Sequence, residues 1–186
     1  MQTIRNDYLS IRVDEKGAEM RSIKDKDNNE YLWQGNSQYW EGQAPNLFPY
    51  VGRLTKGKYS VKGQTYAMDI HGFAKDMDFE IVQKTHEQVV FCLKDNSKTQ
   101  NQYPYAFRFY VRYKLEGYKL SILYQVYNDN EEKMYFGFGG HSGFCVPMEK
   151  GLVFEDYLLE FDTITPTQRV GFSEDCFLNG EDSDFS

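Results

Sequence analysis

Three separated segments each set one polar, ionisable side chain among glycines and aromatic rings. They are Pro49-Tyr50-Val51-Gly52-Arg53-Leu54, His71-Gly72-Phe73-Ala74 and Gly139-Gly140-His141-Ser142-Gly143-Phe144. This mixture suits a sugar pocket. Flat rings stack on the apolar face of a pyranose, and a few fixed donors and acceptors read its hydroxyls. Two imidazoles and a guanidinium also suffice for much of an acid/base reaction near neutral pH.

Each candidate has a plainer alternative. His141 lies between glycines, where a ligand can approach the backbone closely, but the same glycines could form a bulge that only bends the strand. His71 follows the apolar Ile70 at a strand end, and Arg53 sits in a loop unusually rich in rings; either could be an ordinary surface residue. His86, in Lys84-Thr85-His86-Glu87-Gln88, belongs to a polar turn and is read as no part of a site. Asn46 could be a turn former, and Asp69, Asp76 and Asp78 around His71 read as solvated charge. Trp33 and Trp40 read as core, with a sugar platform as the alternative for one of them.

The elements that must carry these residues read almost entirely as strands. Phe107, Phe109, Val111, Tyr113 and Leu115 alternate with Arg108, Tyr110, Arg112 and Lys114; after Glu116-Gly117, Leu120, Ile122, Tyr124 and Val126 alternate again. That is a long hairpin with one buried face. Further hairpins are expected across Lys62-Gly63, between Leu9–Val13 and Glu19–Ile23, and between Phe79–Val82 and Val89–Leu93. Met134–Phe138 reads as a strand leading into the glycine-histidine segment, and Tyr157–Phe161 as a late strand. No window carries a helical period beyond about two turns. The expected fold is all-β, one domain of antiparallel sheets packed face to face over residues 1–186.

Bulk properties narrow the partners. A formal charge of −7 and a pI near 5.0 argue against a nucleic-acid surface, which needs clustered Lys and Arg. No apolar run is long enough to span a bilayer, so no membrane partner is expected. Met1–Asp7 carries no apolar signal-like stretch. Cys92, Cys145 and Cys176 are odd in number and widely spaced, unlike a zinc site or a disulfide framework, which points to a reducing cytoplasm.

Taken together, Tyr31–Gly35, Trp40 through Arg53, His71–Lys75, Phe138–Pro147 and Asp156–Phe161 resemble the aldose 1-epimerase (galactose mutarotase-like) superfamily, most closely its LacX-like branch. Order and spacing agree along nearly the whole chain. The resemblance implies an antiparallel β-supersandwich, of which residues 1–186 would be the N-terminal two thirds. It implies interconversion of the α and β anomers of an aldose, or binding of a related sugar, without metal or cofactor. By the same resemblance Arg53 holds sugar hydroxyls, His71 lies near the ring oxygen, and His141 is the general acid. Ser142-Gly143 departs from the family pattern after that histidine, a difference expected to reshape the pocket wall. The family's carboxylate base lies further toward the C-terminus than this sequence extends. Glu149, Glu155, Glu160, Glu174 and Glu181 follow His141, but none matches the base motif. Turnover by the 186 residues is therefore expected to be weak or absent, leaving a non-catalytic sugar-binding protein or a structural remnant as the alternatives. Self-association through exposed sheet edges is a further expectation.

Overall fold

The computed structural model describes residues 1–158, 160, 168–175 and 177–184. A three-stranded antiparallel sheet is built from β1 (Gln2–Arg5), β2 (Leu9–Val13) and β3 (Met20–Asp25). Two-residue β4 (Asn46–Leu47) follows, then the small hairpin β5 (Lys58–Val61) and β6 (Gln64–Ala67). A four-stranded sheet comes next, from β7 (Glu80–Lys84), β8 (Gln88–Lys94), β9 (Phe107–Glu116) and β10 (Lys119–Asn128), in the order β10-β9-β8-β7. β11 (Gly139–Gly140) returns to pair with β4, and β12 (Gln168–Arg169) pairs with β13 (Ser183–Asp184). One short helix, α1 (Ser97–Gln100), precedes β9; its N-cap Asn96 accepts from the N–H groups of Lys98 and Thr99. Among the described residues no helix is long and apolar enough to cross a membrane.

The four expected hairpins form where the alternation and turn residues place them. Phe107, Phe109, Val111, Tyr113 and Leu115 of β9 are buried, while their neighbours are partly or fully exposed. β8 instead shows a continuous buried run, Val89 to Leu93, as befits an inner strand covered on both faces. The outer strands β7 and β10 leave Ile81, Val82, Leu123 and Tyr127 exposed.

Two expected strands differ. Of Met134–Phe138 no residue joins a ladder, and only Gly139 and Gly140 pair. The rings there pack instead: Phe138 lies 5.6 Å from Tyr124, and Phe136 lies 6.1 Å from Phe48. Of Tyr157–Phe161, Tyr157, Leu158 and Glu160 are not strand, and Leu159 and Phe161 lie outside the described residues.

The core converges on Phe48, which is fully buried. Its ring stacks on Phe109 at 4.6 Å and meets Phe107 at 5.0 Å, Tyr103 at 6.0 Å and Phe73 at 6.1 Å. Such pairs each add about 0.5–1.5 kcal/mol beyond area burial. Two residues earlier, Asn46 is also buried and is no simple turn former. Its amide donates to the carbonyls of Gly17 and Ala18 and to the Tyr113 hydroxyl, and its side-chain oxygen accepts from Tyr124 Oη at 2.8 Å. One side chain thereby joins the β2–β3 turn, β9, β10 and β4.

Replacing Asn46 with Ala leaves these buried groups without a partner. Asn46→Ala should cost about 2–4 kcal/mol in urea unfolding; a loss under about 1 kcal/mol would mean that other groups take over its hydrogen bonds.

Candidate functional site

The three segments meet around β4. β11 lies antiparallel to β4, with Gly139 opposite Leu47 and Gly140 opposite Asn46, and His141 follows at once, its N–H donating to Pro45 O at 3.1 Å. Gly140 faces Tyr124, whose hydroxyl oxygen would sit 2.8 Å from an added Cβ. On the other side of β4, Gly72 bridges Phe48, and the N–H groups of Phe73 and Ala74 both donate to the Phe48 carbonyl. An added Cβ on Gly72 would lie 2.3 Å from that carbonyl oxygen, and the residue has φ +71°, so only glycine fits.

His71 and His141, 70 residues apart in the chain, come together with ring centroids 5.4 Å apart and the rings tilted by 62°. His71 is half-buried and held in a left-handed conformation, φ +67°. Its backbone N–H donates to Gly52 O at 2.9 Å, and its Nδ1 accepts from the Gly52 N–H at 3.0 Å. Burial, reinforced by nearby His141 and Lys75, pushes the His71 imidazole below the ordinary histidine value. His141 is exposed. Arg53 is exposed too, one residue beyond Gly52 on the loop that clasps His71. Among the described residues neither imidazole of the pair is ion-paired with a carboxylate.

Trp40, read from the sequence as core, stands beside this pair. It is half-buried, and its ring lies 5.1 Å from the His141 ring. Gly42 and Gly143 make room for the indole: an added Cβ would stand 2.6 Å from its Cζ2 at Gly42 and 3.0 Å from its Cζ3 at Gly143. Trp33 Nε1 donates to Trp40 O at 2.9 Å, fixing the segment. The glycines at 42 and 143 are the sequence signal for this, legible only once it is known what they face. Of Ser142-Gly143, it is Gly143 that lies against the Trp40 ring.

The remaining candidates lie elsewhere. His86 is exposed in the β7–β8 turn, where its Nε2 accepts from Arg5 Nε at 3.2 Å. Asp76 pairs with Lys75, and Asp69 uses its carbonyl, accepting the Gly72 N–H. Cys145 is partly buried with its thiol directed at Leu32 O, Cys92 is buried, burial raises both thiols, and Cys176 lies outside the described residues. Among the described residues no three His, Cys, Asp or Glu side chains gather where they could hold a metal. A cavity of about 490 Å³ shares Pro49–Val51 with the site but is lined by Tyr59, Tyr103, Tyr105 and Tyr135, without either histidine.

The family model described as aldose 1-epimerase matches residues 1–179. The chain belongs to the aldose 1-epimerase family. The plasmid and chromosomal LacX proteins of Lactococcus lactis subsp. lactis are 35% identical over 167 residues, covering 87% of this chain and 56% of theirs. A galactose mutarotase related enzyme from Lactobacillus acidophilus matches with TM-score 0.93 and 37% identity over 98% of this chain and 61% of its own. A galactose mutarotase-like protein from Lactobacillus casei matches with TM-score 0.86 and 34% identity over 99% of this chain and 63% of its own. The chain thus spans somewhat over half the length of these relatives. Its all-β architecture is that of the galactose mutarotase-like fold.

Two outcomes follow from the geometry. Gly72→Ala should cost more than about 2 kcal/mol in unfolding, since neither the Phe48 carbonyl nor φ +71° admits a side chain; a near-neutral effect would contradict the close approach. The second is pH dependence. His71 is held below its unfolded value of about 6.5, so the unfolded chain binds the proton first as pH falls. Its contribution to stability is complete above that value and is lost as pH drops toward the folded one. The urea midpoint of His71→Gln should therefore decline less steeply between about pH 7 and 5 than that of the parent. An identical slope would sink the assignment.

Proposed function

We propose that this chain binds an aldose between Arg53, His71, His141 and Trp40, and that the site serves interconversion of its α and β anomers. The observation that carries this is the convergence of the two histidines at 5.4 Å beside a tryptophan, in a member of the aldose 1-epimerase family. Anomer exchange begins with loss of the proton on the anomeric hydroxyl and protonation of the ring oxygen. The C1–ring-oxygen bond breaks to leave an aldehyde and a new hydroxyl. C1 turns about its bond to C2, and closure on the other face returns both protons. An imidazole suits protonation of the ring oxygen because it holds and releases a proton near neutral pH, a transfer typically worth about 10²–10⁴-fold. Arg53 brings a planar fork that can hold two hydroxyls, and the Trp40 indole offers an apolar face to the ring. None of these steps calls on a metal.

A second reading, binding without turnover, is favoured by one observation. No carboxylate pairs with either imidazole among the described residues, so the cluster of rings and Arg53 offers binding groups and proton donors without a carboxylate partner of its own. The same proposal places the chain in a reducing cytoplasm, in keeping with the odd number and wide spacing of Cys92, Cys145 and Cys176.

Titration with galactose and glucose, followed by tryptophan fluorescence, tests the binding claim. Saturable change is expected, with Arg53→Ala and His141→Ala each weakening binding about ten- to a hundredfold while unfolding midpoints hold. Failure of both sugars to bind at millimolar concentration would remove the sugar reading. Polarimetry on freshly dissolved α-anomers, with a chelator present, then separates the two readings: exchange above the buffer rate means catalysis, and binding with no exchange means a lectin-like role.

A further inference from the structure

We infer that Gly52 is a positioning residue whose backbone N–H locks His71 as the neutral imidazole with its single proton on Nε2, so that His71 serves the sugar as a fixed hydrogen-bond donor and takes up no second proton. This rests on the sugar site proposed above and divides the work within it.

The Gly52 N–H points at His71 Nδ1 across 3.0 Å. A backbone N–H can only donate, so Nδ1 must present its lone pair, and the ring proton resides on Nε2. Forming the imidazolium would place a second N–H against the Gly52 N–H and forfeit the bond. Turning the ring over would put a C–H there instead. Nor can the backbone withdraw: the His71 N–H is bonded to Gly52 O at 2.9 Å, and Gly72, Phe73 and Ala74 are clamped on the Phe48 carbonyl. Gly52 itself has φ +95°, with open space where a Cβ would stand, so it is the turn at this position that calls for glycine.

The surroundings agree. The titratable groups facing His71 are His141 after β11 and Lys75 on the turn that follows, and both oppose a positive charge on the ring. Asp76 is taken by Lys75, and the exposed Asp69 makes no side-chain hydrogen bond or ion pair among the described residues. His141 differs in each respect: it is exposed, and among the described residues its ring nitrogens have no hydrogen-bond partner. It can hold a proton, deliver it to the ring oxygen as the C1–oxygen bond breaks, and recover it on closure. His71 Nε2–H, fixed in place, can donate to that oxygen or a neighbouring hydroxyl throughout.

Long-range ¹⁵N–¹H spectra of the labelled, sugar-free protein test the lock, with signals assigned from His71→Gln, His86→Gln and His141→Gln. The expected result is one unprotonated Nδ1 and one protonated Nε2 for His71, unchanged between about pH 8 and 5.5. A proton on Nδ1, a tautomer mixture, or an imidazolium within that range would overturn the proposal. A sugar titration tests the donor role. Glutamine carries an amide N–H near the Nε2 position and cannot titrate, so His71→Gln should stay within about threefold of the parent affinity while His71→Ala loses about tenfold or more. Equal losses in the two variants would overturn the donor role. If the parent binds no sugar, the functional proposal and the donor role fall together, whereas the tautomer result stands by itself.

Discussion

The carbonyl and ring of Phe48 act in two directions at once, and the site depends on both. The ring is buried against β9 and its aromatic neighbours, so the residue cannot move without opening the core. The carbonyl points the other way and accepts the N–H groups of Phe73 and Ala74. A loop that would otherwise be free is thereby tied to the most rigid part of the molecule. Gly72 permits the approach and His71 is carried with it. The loop that carries His71 thus inherits the precision of the sheet, as the proposed sugar site requires.

Asn46 does for polar groups what Phe48 does for rings. A buried amide must satisfy both its donor and its acceptor, and here the partners come from the β2–β3 turn, β9 and β10. β4 is only two residues long, too short to hold its place through ladder hydrogen bonds alone. Its neighbours in sequence fix it, and β11 with His141 is then fixed through β4. His141 is thereby held at Pro45 and β4, and the His71 loop at Phe48 just beyond the strand.

The same scaffold gives the two imidazoles different characters. His71 is half-buried and clasped by Gly52 at both its backbone and its ring. His141 is exposed beside Trp40 and leaves its ring nitrogens open to a ligand among the described residues. Burial and a fixed donor favour the neutral form of one, while the ring of the other stands open to solvent. Identical residue types thus acquire different surroundings from one scaffold.

The strand content and the hairpins were legible in the sequence because period-two burial writes itself into it. β9 and β10 show this best, where every second residue must be apolar for one face to be dry. Arg53, His71 and His141 could be singled out because ionisable residues among glycines and rings are uncommon, and their family pattern is long. What stayed hidden were relations between distant residues. Met134–Phe138 alternates like a strand, yet its rings pack on Tyr124 and Phe48 and no ladder forms. Asn46 looks like a turn former until its four partners are seen, and Trp40 looks like core until Gly42 and Gly143 are found against it. By itself the sequence determined the all-β class, the hairpin order and the types of group available for chemistry, since these follow from local periodicity and side-chain identity. Only the tertiary structure decided that the two histidines meet, that Trp40 joins them and that Gly52 holds one ring nitrogen, because each is a contact between segments whose spacing is set by the packing around Phe48 and Asn46.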